Sequence, residues 1–159
     1  MIDHSPKTSD ETEAILTHIV RAEDMNMHGS LFGGKMMAFM DTCAAIAAMR
    51  HGGRNCVTAR IGHVSFTAPV RMGHILELRS RVVFTARSSM DIHVSAMRED
   101  HVTGDRKEVC SAYFTFVAID GDQQPVTIPP VDLVTDDDRH HNAICQQRYE
   151  ARKAGKIAK

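Results

Sequence analysis

Residues 35–51, KMMAFMDTCAAIAAMRH, are strong helix formers with apolar side chains on nearly every side. A helix that lacks a polar face is stable only where neighbours cover it all round. Gly33-Gly34 opens it and Gly52-Gly53 closes it, so the chain predicts a helix from Lys35 to about His51. From Cys56 onward the apolar period changes to two. Val57, Ala59 and Ile61 alternate with Thr58, Arg60 and Gly62, while Leu76, Leu78, Val82 and Phe84 oppose Glu77, Arg79 and Arg81. Met90, Ile92, Val94 and Ala96 repeat the pattern, as do Cys110, Ala112, Phe114 and Phe116. Ala86-Arg87-Ser88 and Thr103-Gly104-Asp105 supply the turns. One buried helix and a run of long antiparallel strands predict an α+β domain, its sheet wrapped around that helix.

The helix is no membrane span, because Lys35 and Asp41 interrupt the apolar run from Leu31 to Met49. The head, MIDHSPKTSDETEA, is too polar and acidic for a signal or transit peptide. Four scattered cysteines form no CxxC and no zinc spacing, which predicts reduced thiols and a cytoplasmic chain. A formal net charge of −1 excludes general phosphate neutralisation, and with it a nucleic-acid partner. That balance is uneven along the chain. Residues 139–159 carry six basic side chains (Arg139, Arg148, Arg152, Lys153, Lys156, Lys159) against one acid, Glu150. The organisation expected is a flexible head at 1–13, the folded domain at 14–130, and a partly helical, basic tail at 131–159, with a first short strand over Ala14 to Val20.

Asp41 stands out chemically. Its helical neighbours are Met37, Ala38, Ala44 and Ala45, and a carboxylate there needs a partner or a pocket. It either makes a structural bond, to a loop or an arginine, or faces a ligand space left by the alanines. Gly33-Gly34 has two readings as well. The pair permits close packing on the sheet, or it exposes backbone N–H donors that favour developing negative charge, as in an oxyanion hole. Asp41 lies seven residues beyond Gly34, about 10 Å along the axis at helical rise. One carbonyl held at the helix start is therefore poorly served by an attacking group from the same helix, and if both features are catalytic a dimer is implied.

The stretch DMNMHGSLFGGKMMAFMDTCAAIAAMRH resembles the signature of the hotdog-fold acyl-CoA thioesterases, with its Asn-x-x-Gly-x-x-Phe-Gly-Gly loop and helix Asp. The likeness continues through VTARIGHVSFTAPVRMGHILEL, ARSSMDIHVSA, AYFTFVAID and the tail QQRYEARKAGK, covering about Thr17 to Lys156. It is similar to the single-domain bacterial members and to the halves of the tandem-domain cytosolic hydrolases. This resemblance implies a hotdog fold that hydrolyses acyl-CoA to free fatty acid and CoA. It implies no metal and no cofactor, since coenzyme A is part of the substrate and a product. Asn26 and Asp41 would form the catalytic pair from opposite subunits of a dimer, itself assembled as a trimer of dimers. Asp41 would be general base or nucleophile, and Asn26 would position water or the acyl oxygen. Backbone N–H groups near Gly33 and Gly34 would hold the oxyanion, and Thr58 would support Asp41 or the water. His28 is read as loop structure, and His140-His141 as solvated tail.

For coenzyme A, the turn Arg87-Ser88-Ser89 matches a motif that the family places near pantetheine and phosphates. Arg148, Arg152 and Lys153 share one side of a helical tail and would meet nucleotide phosphates or an acidic neighbouring subunit. The acyl chain would lie along the apolar helix beside Met37 and Met40. The alternative is a hotdog domain that binds or senses acyl-CoA without hydrolysis. Retention of Asn26 and Asp41, and the lack of a helix-turn-helix segment, favour the enzyme.

Overall fold

The computed structural model describes residues 3–155. Met1, Ile2 and 156–159, with Lys156 and Lys159 of the basic tail, lie outside the described residues. In chain order the elements are β1 (Lys7–Thr8), β2 (Ala14–Ile19), α1 (Gly33–Gly52) and β3 (Cys56–Phe66). There follow β4 (Ile75–Thr85), β5 (Ser89–Glu99), β6 (Arg106–Ala118), β7 (Val131–Asp132) and α2 (Asp136–Lys153). The main sheet is antiparallel throughout, in the order β2-β4-β5-β6-β3, so β2 and β3 are its edges.

The inward residues of the alternating segments build the core. Leu76, Leu78, Val82, Met90, Ile92, Val94, Phe114 and Phe116 are wholly or almost wholly buried. They close on Met36, Met40, Cys43, Ala44, Ala47 and Ala48 of α1, so the sheet covers one side of the helix. Gly34, Ala38, Thr42 and Met49 stay exposed in the single chain, and the all-round burial expected from the sequence is not reached. Gly53 ends α1 in the left-handed region, φ +64°, with its N–H on Met49 O at 2.9 Å. Lys7 Nζ donates to the Arg50 and His51 carbonyls at 2.9 and 3.0 Å, satisfying acceptors that the helix end leaves open.

Three local features depart from simple alternation. A bulge between Val82 and Phe84 takes Phe84 off the core face, and its ring meets Tyr149 of α2 at 5.3 Å. A bulge between Thr58 and Arg60 puts Thr58 opposite Phe116, on the α1 side, and Arg60 opposite Thr115, on the other side. Residues 7–13, assigned to a flexible head by the sequence, are hydrogen-bonded. β1 pairs in parallel with β7, and Glu13 takes Arg79 and Arg81 at 3.0 and 2.9 Å.

The tail is helical and lies on its own sheet. Asn142 Nδ2 donates to Val83 O at 2.7 Å, and Cys145 is fully buried. The His141 ring stacks on His93 at 3.6 Å, and its Nδ1 is hydrogen-bonded with Tyr113 Oη at 2.5 Å. His141 is thus packed rather than solvated, whereas His140 is exposed. Burial holds His93 down to about 4 and lowers His141 as well.

Candidate active site

Asp41 is half-buried and receives Thr58 Oγ1 at 2.7 Å. This contact exists because the β3 bulge turns Thr58 toward α1. Of the alanines around Asp41, Ala38 is exposed and Ala44 is buried in the core. Asp41 makes no contact with an arginine among the described hydrogen bonds and ion pairs.

Asn26 sits in a closed loop between a single 3-10 turn (Ala22–Asp24) and α1. Its Oδ1 accepts from the N–H groups of His28 at 2.8 Å and Ser30 at 3.2 Å, and Nδ2 donates to Ser30 Oγ at 3.1 Å. The amide has two Nδ2 hydrogens, so one is left beyond the Ser30 contact. Gly29 takes φ +77° at the loop tip, where a side chain would be strained. His28 serves this loop through its backbone.

The base of the loop is pinned by Asp24, which the sequence did not single out. It is buried, accepts from Arg21 N at 2.9 Å and His18 Nε2 at 2.7 Å, and its carbonyl takes Phe32 N at 2.8 Å. The His18 and Arg21 bonds hold its carboxyl below the ordinary range. No spacing rule marks an Asp–His pair six residues apart across a turn, so only the fold discloses it.

Phe32 is the residue before the first turn of α1, and its side chain offers no acceptor. Lys35 N and Met36 N return to Phe32 O, which leaves the Gly33 and Gly34 N–H groups without a side-chain cap. A Cβ at Gly34 would fall 2.5 Å from Phe32 Cε1, so that glycine lets the ring lie across the helix start. Beside Gly33 opens a cavity of about 450 Å³ walled by Leu31, Met36, Phe66, Val70 and Val109. Met36 lines this space rather than Met37 or Met40, and Met40 is wholly buried in the core. Within one subunit Asn26 and Asp41 share no hydrogen bond, in keeping with their placement at opposite ends of the helix's first half.

The six residues considered for coenzyme A fall into two groups. Ser89 lies opposite Val117, and Val117 opposite Val57, so the Arg87–Ser89 turn stands at the same sheet end as Thr58 and Asp41. Two strand spacings separate it from β3, about 10 Å. Its backbone is fixed by Ala118 N on Ser88 O at 2.9 Å and Ile128 N on Arg87 O at 3.0 Å, leaving the Arg87 side chain exposed. Arg148, Arg152 and Lys153 stand across the sheet from Asp41. The Arg148 guanidinium lies 4.4 Å over the Tyr113 ring, and with Arg152 it borders a cleft of about 290 Å³ that reaches Asp91. Burial pushes the Asp91 carboxyl up, against the Thr115 Oγ1 bond at 2.6 Å.

A thioesterase superfamily profile matches residues 28–104. The chain is 36% identical to the uncharacterized acyl-CoA thioester hydrolase YkhA of Bacillus subtilis, over 88% of this chain and 82% of that protein. An acyl-CoA hydrolase from Staphylococcus aureus, solved with butyryl coenzyme A, coenzyme A and coenzyme A disulfide, superposes at a TM-score of 0.87 and is 34% identical, covering 95% of this chain and 92% of that one. An apo hexameric acyl-CoA thioesterase superposes at 0.92 and is 31% identical, covering 98% and 99%. Sheet order, central helix and sequence identity agree, and the chain belongs to the hotdog-fold acyl-CoA thioesterase family.

Proposed function

We propose that this enzyme hydrolyses acyl-CoA with Asp41 of one subunit acting on a thioester held by Asn26, Gly33 and Gly34 of another. The observation that carries this is the placement of Asp41, tied to Thr58 on β3, an edge strand whose outer side pairs with no other strand among the described residues. β3 also shows Val57, Ile61, Val64 and Phe66 to solvent, an apolar edge that a stable chain covers. A second copy pairing antiparallel along Cys56–Phe66 sets the start of one strand beside the end of the other. Thr58 and Asp41 near the start then meet Phe66 of the partner subunit near its end. Phe66 is the neighbour of Gly33: a methyl on Gly33 would stand 3.7 Å from Phe66 Cζ. Two copies thus bring the carboxylate of one to the helix start of the other, twice.

In such a site Asp41 takes a proton from water as the water adds to the thioester carbonyl, or attacks that carbonyl directly. Thr58 orients the carboxylate. The uncapped Gly33 and Gly34 N–H groups, at the positive end of α1, and the second Nδ2 hydrogen of Asn26 stabilise the oxyanion. Collapse expels CoA thiolate, which is protonated to the thiol; on the direct route it leaves an acyl anhydride on Asp41, which a water then cleaves to free the acid and the carboxylate. Water, a base and oxyanion donors balance the reaction, so we propose no metal or redox cofactor. Arg87, Ser88 and Ser89 suit pantetheine and phosphate. Arg148, Arg152 and Lys153 would serve the nucleotide end only across the β3 edge, or a neighbouring subunit. Free cysteines suit a reducing, cytoplasmic setting. The hexameric relative supports dimers assembled as a trimer.

The test is thiol release from acyl-CoA together with mass by light scattering. Wild type is expected to release thiol and to run as a multiple of the dimer. Ile61→Lys places a charge on the β3 edge, so it is expected to lower the mass and to cut thiol release at least tenfold, with native circular dichroism. An active monomer would sink the shared site.

A further inference from the structure

We propose that Asp24 is a positioning residue for the oxyanion donors: it locks the Asn26 loop to the start of α1, so that the Asn26 amide and the Gly33 and Gly34 N–H groups share one rigid frame. This rests on the hydrolase reading above and adds to it what fixes the donors. The loop is a short ladder with Asp24 at its foot. Asp24 O takes Phe32 N at 2.8 Å, Met25 and Leu31 form an antiparallel bridge, and Asn26 N donates to Ser30 O at 2.7 Å. The first rung therefore sets the offset between Asn26 and Phe32, and Gly33 and Gly34 follow Phe32 directly.

The side chain holds that rung from three directions. His18 Nε2 and Arg21 N both meet Asp24 Oδ2, at 2.7 and 2.9 Å, while Oδ1 faces Lys35 Nζ at 3.7 Å. His18 comes from β2, where it stands opposite Leu76 of β4, so the carboxylate is anchored to the main sheet. The His18 ring also rests on Phe39 of α1, with centroids 4.4 Å apart. Lys35 and Phe39 are four residues apart, hence neighbours on one helix face. Sheet, turn and helix thus meet on one buried carboxylate, its side chain 3% exposed. An acid this close to a helix start would ordinarily take the open N–H groups. Asp24 commits both oxygens elsewhere, and α1 keeps no side-chain cap. The Gly33 and Gly34 donors are held in place while staying open to a substrate oxygen.

The experiment measures kcat and KM for thiol release in wild type, Asp24→Ala, Asp24→Asn, His18→Leu and His18→Gln, at a temperature where circular dichroism shows each folded. Amide hydrogen exchange over residues 26–34 is read on the same proteins. Asp24→Ala should lower kcat by about 10- to 100-fold and leave KM within about twofold, since oxyanion donors act in the transition state and small misplacements cost on this scale. Exchange over residues 26–34 should rise roughly tenfold or more in that variant, because the loop loses its anchor. Asp24→Asn keeps an oxygen at the Oδ2 position for His18 and Arg21, so it should recover most of the loss. His18→Gln, which keeps a donor near the Nε2 position, should likewise outperform His18→Leu. A kcat for folded Asp24→Ala equal to wild type would reduce the residue to a stability role and overturn the proposal. Equal losses in Asp24→Ala and Asp24→Asn would overturn it too, by making charge rather than position the cause. If wild type releases no thiol while Asp24→Ala still loosens residues 26–34 and Asp24→Asn restores them, hydrolysis falls and the clamp stands.

Discussion

Asp41→Ala is expected to lower thiol release from acyl-CoA by about 100- to 10,000-fold, the range over which a positioned general base contributes. The substitution should cost little stability, because Asp41 is half-buried and its one described bond is to Thr58 Oγ1 at 2.7 Å. A hydroxyl at an exposed strand position finds water when the carboxylate is gone. Thr58→Val should produce a smaller loss of the same kind, since it frees Asp41 to rotate without removing it. Asn26→Ala should also be severe, but it carries a structural cost, for three loop bonds end on that side chain. Mixing separates shared from single-chain sites. When Asp41→Ala and Asn26→Ala subunits are unfolded and refolded together, one site of each mixed dimer regains both native residues. Activity of the mixture should then exceed that of either variant. A mixture no better than its components would refute the cross-subunit arrangement.

The parts of this molecule that follow from side-chain periodicity were legible in the sequence. The apolar circumference of residues 35–51 demanded burial, and the period-two segments after Cys56 supplied the sheet that buries one side of it, leaving Ala38, Thr42 and Met49 exposed in the single chain. Gly53 ends the helix where a left-handed residue is needed. What periodicity cannot show is a bulge. Alternation puts Thr58 and Arg60 on one face, and only the extra residue between them turns Thr58 to Asp41 and Arg60 to the opposite side. Family resemblance marked Thr58 as supporting Asp41, and the bulge is the physical reason it can. Asp24 was hidden for a related cause. Its partners, His18 and the Phe32 N–H, lie on a strand end and a helix start that come together only once the loop has closed. The tail was read as basic and helix-capable, yet its docking depends on Asp138 meeting Arg81, a pairing 57 residues apart that local pattern does not carry.

That pairing should be among the most costly to break. Arg81 offers Nε and Nη2 to the two oxygens of Asp138, each at 2.8 Å, and Nη1 to Glu13 at 2.9 Å. Ser9 Oγ and Thr135 N complete the carboxylate at 2.7 and 3.0 Å. Three segments distant in sequence, the head, β4 and α2, thus meet through two ion pairs on Arg81, and the Asp138 side chain is only 2% exposed. Removing Asp138 leaves a guanidinium half-compensated in a low-dielectric pocket, and removing a partner from a buried pair costs about 3–5 kcal/mol. Asp138→Ala should fall near 3 kcal/mol, because Glu13 still holds one edge of Arg81 and Thr135 Oγ1 still accepts from the N–H of residue 138; what α2 loses is the reciprocal bond from Thr135 N to the Asp138 carboxylate. Urea unfolding monitored by circular dichroism measures this. The pH dependence provides an independent check. Burial alone would raise the Asp138 carboxyl, but Arg81, Ser9 and Thr135 overcome it and hold it far below the ordinary range. A carboxyl depressed in the folded state contributes stability above its unfolded value, near 4, and loses that contribution as pH falls toward the folded value. Wild type should therefore lose stability on acidification below about pH 4 more steeply than Asp138→Asn, which has no proton to take up there. Equal acid slopes for the two proteins would show that α2 is held by its apolar contacts alone.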